Sequence, residues 1–284
     1  MPEALSNSGL ATDLLLLAEA GTVQPHGPYV VAKTDAAPDY FFGNLLVLPQ
    51  RPDAAERERL EADFAALVGV PPRIAHCTFV WPESWPPAQP VADDDLRAAL
   101  QAFVERGYDA TRYRVLTAQW DDVRAVAPNP TVEVRRYASQ ADWDTWTRLH
   151  LAELPPGHEG SSRRYLAQQQ RVYRGMIERG LGDWWGAFIE GAQVGNLGLF
   201  FVGGFARFQS VLTDERHRNR GVCRTLVAEV IRQSRAAGDE HRAAELVMVA
   251  DEQYHAGRIY EALGFQATAR LASLCRMPAP DDSH

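Results

Sequence analysis

The chain has 284 residues, 46% of them apolar and 23% charged, a balance that suits a soluble globular protein with material for sizeable cores and a length comfortable for two ordinary domains. A net charge of −8 argues against non-specific nucleic-acid binding, which needs a basic footprint, and no apolar run approaches the roughly 20 residues of a bilayer span, Leu14 to Leu17 being far too short. Cys77, Cys223 and Cys275 form neither a close pair nor a metal-ligand spacing, and no basic-then-apolar leader opens the chain, so the expectation is a cytoplasmic protein without a metal site or a disulfide scaffold.

The first ten or so residues are small and polar and are expected to fray. Pro28 to Lys33 and Tyr40 to Leu48 read as strands, separated by a turn-rich stretch. Asp53 to Val68 places Leu60, Phe64, Leu67 and Val68 at helical spacing. Arg73 to Trp81 reads as a strand, the proline-rich Pro82 to Pro90 as a loop, Asp93 to about Arg106 as a helix and Tyr113 to Leu116 as a strand. Between Gln119 and Pro130 the periodicity lapses into Asp-Asp and Pro-Asn-Pro, which marks the best domain boundary. The expected domains are therefore 1–120 and 131–284.

Beyond the boundary, Val132 to Tyr137 reads as a strand, and Asp142 to Glu153 and Arg163 to Arg179 as helices. Trp184 to Glu190 and Gln193 to Val202 form a hairpin pattern around Glu-Gly, followed by a strand over Phe205 to Thr213. Gly221 to Ala237 is a long amphipathic helix ended by Gly238. Glu245 to Val249, Tyr254 to Leu263 and Thr268 to Cys275 complete the chain as strand, helix and strand. Strands alternating with helices in this way place the second half in the mixed α/β class, with a mixed sheet.

One segment recurs. Phe103 to Thr111 matches Tyr260 to Thr268 at a constant offset, 260 − 103 = 157 and 264 − 107 = 157, each pairing an aromatic residue with Gly, a second aromatic and Ala-Thr. Helix, glycine cap and strand is a common unit, which leaves coincidence open; duplication of one fold is the favoured reading.

The densest chemistry lies in Val211 to Leu226, where a strand turns through Arg218-Asn219-Arg220-Gly221-Val222-Cys223-Arg224 into a long helix. A helix N-terminus leaves backbone N–H groups unpaired at the positive end of the macrodipole and favours a bound pyrophosphate. Gly221 has no side chain to block the approach, and Arg218, Arg220 and Arg224 add positive charge. The alternative on this segment alone is a solvated arginine-rich helix start. It is not a Walker loop, since no Gly-Lys-Ser/Thr follows.

Arg218 to Cys223 resembles the Arg/Gln-x-x-Gly-x-Gly/Ala signature of the GNAT superfamily of N-acyltransferases. Gln253-x-x-Ala256-x-x-Ile259-Tyr260-Glu261-Ala262-Leu263-Gly264-Phe265 is similar to that family's second signature, in which an Asn stands in place of Gln253. The resemblance covers roughly Val132 to Arg276. It implies a GNAT-like fold, in two tandem copies if the repeat is a duplication, and acetyl-CoA as co-substrate. By the family's pattern Val211, Leu212 and Thr213 would bind the pantetheine arm. Arg218, Asn219, Arg220, Gly221, Val222, Cys223 and Arg224 would wrap the pyrophosphate, Gln253 would contact the cofactor, and Tyr260 would be the general acid, a core aromatic being its bland alternative. Cys223 replaces the usual Gly or Ala; a small filler is favoured over a helix-terminal thiol of lowered pKa.

The implied reaction is direct attack of a primary amine, on a small molecule or a peptide, upon the thioester. The departing thiolate takes a proton, which a phenol neutral at pH 7 can donate. Asp251, Glu252, His150, His158 and Glu159 all stand open as the base, as does a water chain. The first half has Pro49-Gln50-Arg51-Pro52-Asp53 where the glycine loop would be and Phe103 in place of Tyr260, so it is expected to have lost cofactor binding. Lys33 is the only lysine, a bias that suggests a GC-rich bacterial genome. A homodimer is compatible with all of this, and a non-catalytic acyl-CoA sensor is the rival to the enzyme.

Overall fold

A computed structural model describes residues 6–86, 93–154, 159–253 and 256–278. Its first half contains α1 (Ser8–Ala20), β1 (Thr22–His26), β2 (Tyr29–Lys33), β3 (Leu45–Val47), α2 (Arg57–Leu67), β4 (Cys77–Glu83), α3 (Asp93–Ala99), α4 (Gln101–Val104) and β5 (Tyr108–Gln119). The second half contains β6 (Glu133–Arg136), α5 (Gln140–Ala152), α6 (Glu159–Glu178), β7 (Gly182–Ile189), β8 (Ala192–Val202), β9 (Phe205–Thr213), α7 (Val222–Ala236), β10 (Glu245–Asp251), α8 (Ala256–Ala262) and β11 (Gln266–Arg276). The mixed α/β class and the mixed sheet are as the periodicity predicts.

Four local expectations need correction. From Ser8 the segment expected to fray is a helix: Asn7 caps α1 by accepting from the Leu10 N–H at 3.1 Å, while its amide donates to the Arg270 carbonyl at 2.8 Å, which ties the start of α1 to β11. α1 is apolar on both flanks because it lies between the sheet and α6, so it has no helical alternation to read. Of Tyr40 to Leu48 only Leu45–Val47 is strand; Phe41–Gly43 is a 3-10 turn, held by the Asn44 amide donating to the Ala37 and Tyr40 carbonyls at 2.8 and 3.0 Å. The strand expected from Arg73 begins at Cys77, and Pro82 and Glu83 belong to it rather than to the following loop. The remainder of that loop beyond Pro86, and the helix start expected at Tyr254, lie outside the described residues.

All eleven strands join one sheet in the order β1-β2-β3-β4-β11-β5-β10-β9-β8-β7-β6. The last strand of each half has crossed to the other: β5 pairs antiparallel with β10, and β11 pairs antiparallel with both β4 and β5. The registers on the two sides match residue for residue. Tyr113 opposes Asp251 and Gln119 opposes Glu245, while Arg270 opposes Glu83 and Arg276 opposes Cys77. The offsets are constant, 270 − 113 = 276 − 119 = 157 on the crossed strands and 251 − 83 = 245 − 77 = 168 on their partners. The first value is that of the repeat seen in the sequence. A pseudo-two-fold axis therefore passes between β5 and β11, and the parallel pair β3–β4 on one side answers the parallel pair β9–β10 on the other.

Alternation along the strands sends side chains to two faces. Leu246, Met248 and Ala250 of β10 join the core beneath α7 and α8, whereas Val247 and Val249 join the core beneath α1. α5 and α6 extend the α1 layer over β7 and β8 through Trp143, Trp146, Tyr173 and Trp184. α2 and the helices before β5 cover the other side of β4 and β11 through Leu60, Phe64, Leu100 and Phe103.

Candidate active site

β9 and β10 are hydrogen-bonded only over Phe205–Arg207 and Glu245–Val247, yet β9 runs on to Thr213 and β10 to Asp251. Each remains paired on its outer side, β9 with β8 and β10 with β5. The two strands thus open a wedge whose inner edges, from Phe208 and from Met248 onward, carry backbone groups without ladder partners. A bulge helps to open it: the β8–β9 register shifts between Asn196 and Gly198, and Ser210 takes a left-handed φ of 47°. Val211, Leu212 and Thr213 line this free stretch as half-buried residues, and the buried Thr213 Oγ1 has no hydrogen-bond partner among the described residues.

Beyond the wedge a 3-10 turn, Glu215–His217, leads through Arg218 and Asn219 to Gly221, which caps α7 with a left-handed φ of 74°. The Arg218 N–H bonds the Glu215 carbonyl and the Thr225 N–H bonds the Gly221 carbonyl. No acceptor among the described residues meets the N–H groups of the six residues between, Asn219 to Arg224. A run of free amides at the start of a helix of 15 residues is an anion cradle by geometry and by dipole.

The surrounding charges are not equivalent. Arg220 and Arg224 have no ion-pair partner among the described residues, and the Arg224 guanidinium comes to 3.8 Å of the point where a Gly221 side chain would begin. Arg218 is committed elsewhere, donating to Glu153 at 2.5 Å and to the Thr213 carbonyl at 3.3 Å, so it staples β9 to the end of α5. Arg216 holds the Asp214 carboxyl well below the usual carboxylate range by direct hydrogen bonds, which pairs the acid that precedes the turn.

Tyr260, on α8, is 4% exposed and packs in the core shared with α7, its ring 6.4 Å from that of Phe265. Its hydroxyl meets the Cys223 thiol in the first turn of α7, so the two residues share one place. Burial and the neighbouring thiol push the phenol well above its ordinary value, which keeps it protonated. Burial pushes the Cys223 thiol up to about 11, opposite to the shift a helix terminus gives an open thiol, and Cys223 is a packed small residue. Gln253 stands exposed in the turn after β10, with its N–H on the Asp251 carboxylate at 2.8 Å and no side-chain bond to a described residue.

The base candidates separate. Glu252 is held in a buried ion pair with Arg270 at 2.8 Å. His150 stacks on Trp146 with ring centroids 4.4 Å apart, sits 3.1 Å from Asn196 Oδ1, and is pushed down to about 4 by burial. His158 lies outside the described residues.

In the first half the helix start corresponding to α7 is already satisfied. Asp53 and Glu56 form a capping box ahead of α2, with the Glu56 carboxylate accepting from the Asp53 N–H at 2.9 Å, so two carboxylates stand where an anion would sit. Pro49 and Pro52 remove two further donors.

Comparison with known proteins agrees with this geometry. Residues 143–265 match the model of the acetyltransferase (GNAT) family. The second half of this chain carries a GNAT domain. Solved structures extend the likeness of fold to both halves. A functionally unknown conserved protein from Staphylococcus epidermidis is similar with a TM-score of 0.64 at 12% identity, over 91% of this chain and 94% of that one. A GCN5-related N-acetyltransferase from Kribbella flavida gives 0.58 at 17% identity, over 100% of this chain and 96% of that one. A tandem GNAT protein from the clavulanic acid biosynthesis pathway gives 0.54 at 18% identity, over 98% and 96% of the two chains. No curated protein matches.

No expectation from the sequence covers a cavity beside the wedge. On the α1 face, at the mouth of the wedge, lies a cavity of about 350 Å3, lined by α1 and α6 and by Gln209, Ser210 and Val249. Tyr165, Gln169 and Tyr173 recur at a spacing of four along α6, which puts all three on one face. That spacing was the available signal, but it reads equally well as an ordinary amphipathic stripe.

Proposed function

We propose that the chain is a tandem protein of two GNAT-like copies, 1–120 and 131–284, in which the second copy transfers an acetyl group from acetyl-CoA to a primary amine and the first has lost the donor site. The observation that carries this reading is the unbroken run of free amides from Asn219 to Arg224 at the end of an unpaired strand edge. Such a run suits a pyrophosphate, with Arg220 and Arg224 free to add charge, and the edge from Phe208 to Thr213 suits an arm that carries amide groups of its own. When bound, the thioester supplies an activated acyl carbon.

The residues then divide the work. The wedge admits the donor between β9 and β10 and leaves the amine to approach from the α1 face. The amine nitrogen forms its bond to the acyl carbon as the carbon–sulfur bond breaks. One proton leaves the nitrogen and one reaches the departing thiolate. Tyr260 is the residue proposed for that last transfer, because burial keeps its phenol protonated and so able to donate. His150, with its pKa depressed and its nitrogen engaged by Asn196, does not suit the role of base. Water in the wedge is the better path for the amine proton.

The test is calorimetric titration with acetyl-CoA together with the release of free thiol on adding a panel of amines. One binding event per chain and amine-dependent thiol release are expected. Binding without turnover on any amine would favour the acyl-CoA sensor. Two CoA per chain would remove the idea of a degenerate first copy.

A further inference from the structure

The cavity on the α1 face indicates what kind of amine this protein takes, an inference that rests on the donor reading above. It is bounded by both halves of the chain: α1 and Tyr40 come from the first, α6 and the β9 bulge from the second. α1 is fixed there from several sides. Asp13 pairs with the buried Arg207 of β9 at 2.6 Å, Glu19 pairs with Arg179 at the end of α6 at 2.8 Å, and Leu15 rests against Gly203 in the β8–β9 turn. The acceptor side of the GNAT domain is therefore roofed by a helix that belongs to the other half.

The walls are selective in their chemistry. Among the residues lining the cavity no lysine, arginine or histidine appears, and Asp13 is the one charged side chain. Arg207 is not among the lining residues, and its two terminal nitrogens are taken by Asp13 and by the Phe208 carbonyl at 2.7 Å, although its buried Nε meets no partner among the described residues. Polar groups are few and grouped: the Tyr173 hydroxyl meets Ser210, and the Tyr40 hydroxyl meets Gln169. Leucines of α1, the faces of Tyr40, Tyr113 and Tyr165, and Val249 make up the remainder. A carboxylate or phosphate brought in here would lie beside Asp13 and find the terminal nitrogens of Arg207 already taken, and a polyhydroxylated body would lose its water against leucine and tyrosine. Asp13 meets Arg207 through Oδ1 alone, which leaves Oδ2 to accept from an ammonium group, and an apolar or aromatic body is matched by the walls. At about 30 Å3 for each water-sized group, the volume suits roughly a dozen non-hydrogen atoms.

We infer that this cavity receives a compact primary amine on an aryl or branched alkyl body that carries no carboxylate, phosphate or sugar, with α1 of the first half as one wall of the acceptor site. The experiment uses the full chain with three amines, phenethylamine, phenylalanine and glucosamine, and the variant Leu17→Phe, which fills the cavity from α1. For the wild type, kcat/KM for phenethylamine is expected to exceed that for each of the other two at least about 100-fold, in line with the penalty for an unpaired buried carboxylate in phenylalanine and for unpaired buried hydroxyls in glucosamine. In Leu17→Phe the KM for phenethylamine should rise at least about tenfold while the Kd for acetyl-CoA stays within twofold, which also reports that the variant is folded.

Preference for phenylalanine or glucosamine overturns the inference and leaves the donor reading standing. An unchanged KM for phenethylamine in Leu17→Phe overturns it as well. If acetyl-CoA does not bind, the donor reading fails, and direct titration of phenethylamine still decides the cavity. Binding lost in Leu17→Phe supports the assignment, and no binding to the wild type removes it.

Discussion

Replacing Gly221 by alanine separates the cost of backbone strain from the cost of blocking an anion. Gly221 sits at φ 74°, and a methyl built there meets nothing closer than the Arg224 guanidinium at 3.8 Å. The folded chain therefore has room for it, and the stability cost is that of a left-handed alanine, about 1–2 kcal/mol. Gly238, at the other end of α7, is a matched control: its φ is 82°, and its nearest neighbour to a built methyl is His241 at 3.9 Å. Gly238→Ala should lose the same stability, visible as a drop of a few degrees in Tm, and bind acetyl-CoA as the wild type does.

Gly221→Ala should add a binding defect of its own. The methyl would stand on the side of Gly221 that faces the Arg224 guanidinium and would push a bound phosphate off the helix start. Losing the equivalent of one charge-assisted hydrogen bond, about 1.5–3 kcal/mol, weakens Kd roughly 10- to 100-fold. Calorimetry and thermal unfolding on both variants decide the matter. Equal Kd values in the two would mean that no phosphate rests on this helix start.

Three further outcomes are expected. Tyr260→Phe keeps the packing, as the buried Phe103 does at the equivalent place in the first half, so steady-state kinetics should show kcat reduced at least about tenfold with the KM for acetyl-CoA nearly unchanged; wild-type turnover limited by chemistry would leave Tyr260 as core. For His150 the folded-state pKa, about 4, lies below the ordinary 6.5, so the unfolded chain takes up the proton first and stability falls as pH drops from about 6.5 toward 4, by roughly 2–3 kcal/mol. Denaturant titrations across that range should show the slope, and His150→Gln should flatten it. Finally, residues 131–284 alone leave β11 without β4 and β5 and β10 without β5, so size-exclusion chromatography should find aggregates or an exchanged dimer, and a cooperative, active monomer would contradict the interleaving.

The second half was legible because its elements are long and its chemistry local. β9 was read to both ends, and the glycine, the arginines and Tyr260 lie in two short runs whose order in the chain mirrors their order in space. The first half was harder to read where tertiary contacts override local pattern. α1 has apolar residues all round because it is sandwiched, β3 is three residues long, and the loop before it is shaped by the Asn44 side chain rather than by any periodicity. The cavity on the α1 face had only the spacing along α6 to signal it: Asp13, Tyr40, Tyr165 and Ser210 are far apart in the chain and meet only through the fold. The repeat between Phe103 and Tyr260 carried more than it showed, since its offset of 157 is also the offset that relates the two crossed strands.

Under the proposed division of labour, that crossing also bears on why the first half is kept beside the second. The wedge exists only because β10 stays away from β9 beyond Val247, and nothing on the wedge side holds it there. What holds it is β5, which pairs with β10 along all seven residues from Glu245 to Asp251 and is itself locked against β11 and β4. The first half thus sets the width of the opening from behind, while α1 roofs the opposite mouth from above. At the same time its own helix start is closed to anions by Asp53 and Glu56. The proposed loss of donor binding in that half is compatible with strict constraint on its strands, because a change in the β5–β10 seam would alter the width of the wedge.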